Sequence, residues 1–173
     1  LLFQDSLQLR AGRKLFTLGN GNLLNSRADG LELMLSTPLA NISAFGCYSG
    51  LLERAYNPYD LSSSDLSDGS KRMFAGGTVS RLLANQTLYL MTLFQWDFNK
   101  DNETDHSSYN SSYYGIGCRG LLVNRLEYDQ EFILETGNSY LFGQTETARI
   151  LACTYQLRLN YYFKHILKPV WGF

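Results

Sequence analysis

The chain has 173 residues, with 15 Lys plus Arg against 16 Asp plus Glu. That length suits one ordinary domain with a short appendage and excludes two full ones, and near-neutral charge without runs of one sign excludes a nucleic-acid footprint. Charged residues are only 18% while Tyr (12) and Phe (10) are frequent, a composition that suits exposed binding surfaces rather than a cytosolic enzyme.

Residues 1–40 alternate Leu-x-Leu pairs with Gly- or Pro-bearing turns: Asp5, Leu7, Leu9 and Leu15 return as Asp29, Leu31, Leu33 and Leu39. Such short strands bury too little to stand alone and need the main sheet or further copies of themselves. Strand signals continue at 42–53 and, after a polar loop at 57–70 with an Asp68-Gly69 turn, at 71–83. In 86–98, Leu88, Leu90, Phe94, Trp96 and Phe98 share one face while Tyr89, Met91 and Leu93 are also apolar, so burial on both faces is expected. A second polar loop spans 99–115. Shorter strands are predicted at 115–126, 130–136 and 139–143, the last two joined by a turn at Gly137-Asn138. A long strand then carries Leu151, Cys153, Tyr155, Leu157, Leu159, Tyr161 and Phe163 on one face, expected to be buried, against Thr154, Gln156, Arg158 and Asn160 on the other. With no convincing amphipathic helix and no βαβ spacing, the chain reads as all-β: an antiparallel β-sandwich or jelly-roll head over 41–173, preceded by a shaft-like β segment over 1–40.

The chemistry is sparse. GIGCRG at 115–120 matches the spacing of a dinucleotide-binding loop, but that loop needs a buried strand before it and a helix after it, so the glycines read instead as a bulge or a loop-to-strand transition. His106 and His165 are isolated from each other and from any nucleophile motif. DFNKDNETD at 97–105 lacks the Gly and terminal Glu of an EF-hand. Cys47, Cys118 and Cys153 form no Cys-x-x-Cys pair and read as small apolar filler, with one disulfide possible. No metal, no cofactor and no catalysis are expected. Sequons at Asn41, Asn85, Asn102 and Asn110 imply a secretory compartment if they carry sugar. No apolar run reaches bilayer length and residues 1–20 lack a signal-peptide layout, so no membrane insertion is expected. The stretch HSSYNSSYYG offers His106, Tyr109, Asn110, Tyr113 and Tyr114 as candidate receptor-binding residues, since Tyr with Ser and Asn makes an adaptable contact surface.

The segment KLFTLGNGNLLNSRADGLELMLSTPL, 14–39, resembles the shaft of adenovirus-type viral fibres, in which alternating hydrophobics and Gly or Pro turns build a threefold β-spiral. The chain lacks the Thr-Leu-Trp-Thr junction of mammalian adenovirus fibres, so the likeness is to avian or reptilian-type fibres or to another virus. The resemblance implies a homotrimer on the virion surface, with Leu15, Leu18, Leu23, Leu31, Leu33 and Leu35 packed around the threefold axis and a head that binds a host receptor, either a protein or a sialylated glycan. It implies unused sequons and reduced cysteines. The competing expectation is a secreted or cell-surface trimeric ligand of tumour-necrosis-factor-like or C1q-like type, or a glycoprotein ectodomain.

Overall fold

The computed structural model describes residues 6–49, 71–98, 109–123, 125–140, 146–163 and 170–172. Nine strands run β1 (Ser6–Leu18), β2 (Leu24–Ser36), β3 (Asn41–Tyr48), β4 (Arg72–Leu83), β5 (Gln86–Asp97), β6 (Tyr109–Val123), β7 (Leu126–Tyr140), β8 (Thr147–Tyr162) and β9 (Val170–Gly172). Each pairs antiparallel with its neighbour in sequence, in one sheet of order β1-β2-β3-β4-β5-β6-β7-β8-β9. The all-β expectation holds, but the described strands form a single open meander and not two packed layers. The strands within residues 1–40 and those of the expected head belong to the same sheet, because β2 pairs with β3 from Ser36↔Asn41 to Asp29↔Tyr48.

Local chemistry explains the connections. Ala84 and Asn85 both have positive φ (47° and 65°), the geometry of a two-residue hairpin turn matched to strand twist. At the β1–β2 tip, Gly19, Asn20 and Gly21 are all left-handed (φ 61°, 50° and 84°), and the Asn22 amide donates to the Gly19 carbonyl at 2.7 Å. Between β2 and β3 the Thr37 hydroxyl accepts from the Ala40 amide at 3.1 Å and donates to the Ala40 carbonyl at 2.9 Å, closing a side-chain-supported turn.

Three strand expectations change. Residues 130–136 and 139–140 belong to one strand, β7, and Gly137-Asn138 sits inside its ladder opposite Ser111 and Asn110, while 141–143 lie outside the described residues. Residues 109–114, assigned to a loop, open β6; the polar loop at 57–70 lies outside the described residues. The glycines of GIGCRG are mid-strand, in regular register until the shift between Leu121 and Val123. A Cβ on Gly117 would land inside the Tyr89 ring, and one on Gly115 would land on Met91. These glycines keep a lane on β6 open for the inward side chains of β5.

The core lies on one face of the sheet. Phe16, Leu18, Leu24, Ala28, Cys47, Tyr89, Met91, Leu93 and Ile133 form it, with Phe45, Phe74 and Tyr113 packed alongside. The far half of the β1–β2 hairpin leans over this concave face, where Asn20 reaches Tyr89 of β5 and Asn22 reaches Gln156 of β8.

Candidate membrane-facing surface and polar interior

Alternation along each strand sorts the side chains to two faces, and the distribution is the reverse of a protein that buries its apolar face against itself. On β8 the face expected to be buried is open: Leu151 is 69% exposed, Tyr155 60% and Leu157 47%. On β5 the face carrying Leu88, Leu90, Phe94, Trp96 and Phe98 points outward, while Tyr89, Met91 and Leu93 form the core.

The ladder register extends this observation around the sheet. One outward row runs Leu9, Leu33, Ala44, Gly77, Thr92, Tyr114, Leu134, Cys153 through β1 to β8. The outward row on one side of it, from Ala11 and Leu31 to Leu151, and the row on the other, from Leu7 and Leu35 to Tyr155, complete three rows of eight positions without one Asp, Glu, Lys or Arg. The inward row between two of these holds Arg10, Glu32 and Glu135. The other inward row, from Gln8 and Met34 to Thr154, is uncharged as well. The contrast between the faces therefore rests on the Arg10 row and on inward charges nearer the strand ends, such as Lys14, Arg72 and Glu131.

Outward charges appear only beyond the belt. Arg13 pairs with Asp29 at 3.3 Å, and Arg27 and Arg149 lie at the same end; Arg81 lies at the other. Aromatic rings gather near both limits. Tyr48 and Phe98 (6.2 Å between centroids) and Trp96 lie at the loop end, Phe94 links Trp96 (6.0 Å) to Tyr114 (6.2 Å) inside the belt, and Tyr161 packs on Phe163 (4.8 Å) near the β6–β7 turn. Connections differ likewise: β2–β3 and β4–β5 are joined by short turns at one end, whereas 49–71 and 98–108 join strands at the other.

The inward face is polar where it is not core. Glu32 takes an ion pair from Lys14 and a longer one from Arg10 at 3.8 Å. Arg72 meets Asp97 at 3.2 Å, both largely buried. The Tyr89 hydroxyl donates to Glu131 Oε2 at 3.0 Å, and Glu131, 2% exposed, leaves Oε1 without a hydrogen-bond partner. Among the described residues no group of three or more His, Cys, Asp or Glu could hold a metal ion, and Cys47, Cys118 and Cys153 are free thiols.

The candidate receptor residues separate. His106 lies outside the described residues. Tyr109 and Tyr113 point inward, their hydroxyls 3.5 Å apart, and Tyr109 and Ser111 both donate to Glu135. Asn110 and Tyr114 point outward; the Asn110 side chain accepts from the Asp97 amide at 3.0 Å. The six leucines also divide: Leu18 is in the core with Leu23 packed on it, while Leu15, Leu31, Leu33 and Leu35 belong to the outward face. The belt itself was not assembled from sequence, although the period-two alternation of β5 and β8 was its visible signal. No family model, curated protein or solved structure matches the chain.

Proposed function

We propose that this chain forms the wall of a transmembrane β-barrel of the outer-membrane type, with its outward face in lipid. The uncharged belt carries this reading. Apolar side chains 40–70% exposed at this density are costly in water and are at home in hydrocarbon. The uncharged belt takes Leu90 to Phe94 in β5. Only with the flanking rows, which hold Arg13, Asp29 and Arg149 at one limit and Arg81 at the other, does the stretch Leu88 to Trp96 reach the ~9–11 residues a tilted strand needs to cross a bilayer. Aromatic rings near both limits and short turns at one end with longer connections at the other are further marks of such walls, and the inward face mixes a compact core with buried charges. No helix among the described residues is long and apolar enough to cross a membrane, and the expectation of no membrane insertion rested on a search for such runs, which strands do not need.

The test is insertion. The chain, with Trp171→Phe leaving Trp96 as the sole tryptophan, is refolded into phosphatidylcholine vesicles. Quenching of Trp96 by brominated acyl chains, together with migration on an unboiled gel that changes on boiling, supports the lipid-facing wall. A trimer stable in detergent-free buffer that ignores vesicles would overturn it and return the leucines to the attachment-head expectation, in which other copies of the chain cover them.

A further inference from the structure

We infer that the Gly19–Leu23 tip of the first hairpin is a seal laid across the concave face, closing the passage that a barrel built from this wall would enclose. The inference rests on the membrane-wall reading. Three strands other than its own receive the tip. Asn20 Nδ2 donates to the Tyr89 hydroxyl of β5 at 3.4 Å, and Asn22 Nδ2 donates to Gln156 Oε1 of β8. Gly19 is seated so closely that a Cβ there would stand 3.2 Å from Glu131 Oε1 of β7 and 3.3 Å from the Met91 methyl. On either side of the tip Leu18 and Leu24 are 5% and 6% exposed.

The space beneath the tip is mixed, with Leu18 and Met91 beside polar groups. A cavity of about 270 Å³ between it and the inner wall is lined by Asn20, Ser80, Thr87, Tyr89 and Arg119 among others. The tip's leucines, Leu18, Leu23 and Leu24, pack with the core around Met91, while the hydroxyl, amide and guanidinium groups beside them are ones that water or small ions would solvate once the tip lifts. The left-handed run Gly19-Asn20-Gly21 supplies the bend that aims the tip inward. Its polar attachments are hydrogen bonds between neutral side chains, individually weak enough to be released.

The test joins tip to wall. Asn22→Cys and Gln156→Cys are introduced with Cys118→Ser and Cys153→Ser, and the chain is refolded into vesicles. Insertion is verified by brominated-lipid quenching. Oxidation should form the 22–156 disulfide, and planar bilayers should then show no conductance steps; reduction should restore rare steps. Asn20→Ala with Asn22→Ala, in the otherwise unaltered chain, should raise the open fraction by roughly tenfold or more, the effect of losing two ordinary hydrogen bonds. Steady conductance with the disulfide formed, or an inserted chain that cannot be cross-linked, overturns the seal and leaves the membrane wall standing. A chain that never enters vesicles overturns both. Should the double-alanine chain fail to fold, the cross-linked pair decides alone.

Discussion

Leu90→Arg places a charge inside the belt, one outward row from its middle, where Leu90 is 58% exposed and flanked in its row by Val79 and Ile116. In water an exposed Leu replaced by Arg changes stability by no more than about 0.5 kcal/mol. On a lipid-facing strand near the midplane the same change costs about 2–4 kcal/mol, which is roughly a 30- to 800-fold shift in the folding equilibrium. Leu83→Arg is the control: it is 43% exposed at the turn end of β4, beyond the belt, and should cost at most about 1 kcal/mol. Urea unfolding in vesicles, read by Trp fluorescence and by unboiled gel migration, measures both. Repeating the change at Leu33, Phe132 and Tyr155 samples β2, β7 and β8. On the proposed reading lipid surrounds the whole wall and penalises all four positions, whereas a contact between protein copies would shield one sector and leave the others tolerant. Four neutral substitutions would refute the lipid-facing assignment.

Gly117→Val should destabilise the wall by about 1–3 kcal/mol, because its side chain competes with the Tyr89 ring, and Tyr89→Ala should recover part of that loss; urea midpoints of the single and double variants check it. Arg72→Met takes the guanidinium from a buried carboxylate and should cost about 3–5 kcal/mol, much of it restored by adding Asp97→Leu. Glu131→Gln removes a buried charge that has one oxygen without a hydrogen-bond partner while keeping an acceptor for Tyr89, and should raise stability by about 1 kcal/mol in the same titration. Ala84→Gly relieves a left-handed alanine in the β4–β5 turn and should add about 0.5–1 kcal/mol.

Much of the strand content was legible because alternation is local. The long strands at 86–98 and 151–163 arise from every-other-residue apolarity, and β4 begins within a few residues of the Asp68-Gly69 signal. Gly137-Asn138 misled because a turn dipeptide can also sit in a ladder: a Cβ on Gly137 would clash with the Asn110 carbonyl and Ser111, so neighbouring β6 accounts for that glycine. The Tyr/Ser/Asn run at 109–114 looked like a loop because both of its faces mix tyrosine with small polar residues (Tyr109, Ser111, Tyr113 and Asn110, Ser112, Tyr114), so no period-two apolarity marks it. Ala84 announced nothing, since its left-handed backbone is imposed by the strands on either side of it.

The sequence alone determined that the chain is largely a succession of strands, the clearest of them with one apolar face, since side chains alternate with period two whatever surrounds them. It could not say which face looks inward, because an alternating strand reads the same with either face against the core. Only the tertiary structure decided that. The register aligns the apolar faces of eight strands into one uncharged outer belt, and the curl of the sheet gathers Phe16, Tyr89, Met91 and Glu131 inside. A long apolar run announces a membrane helix because every residue of a spanning helix meets lipid, whereas a spanning strand shows lipid only every second residue. Its signal therefore becomes visible when neighbouring strands are laid side by side.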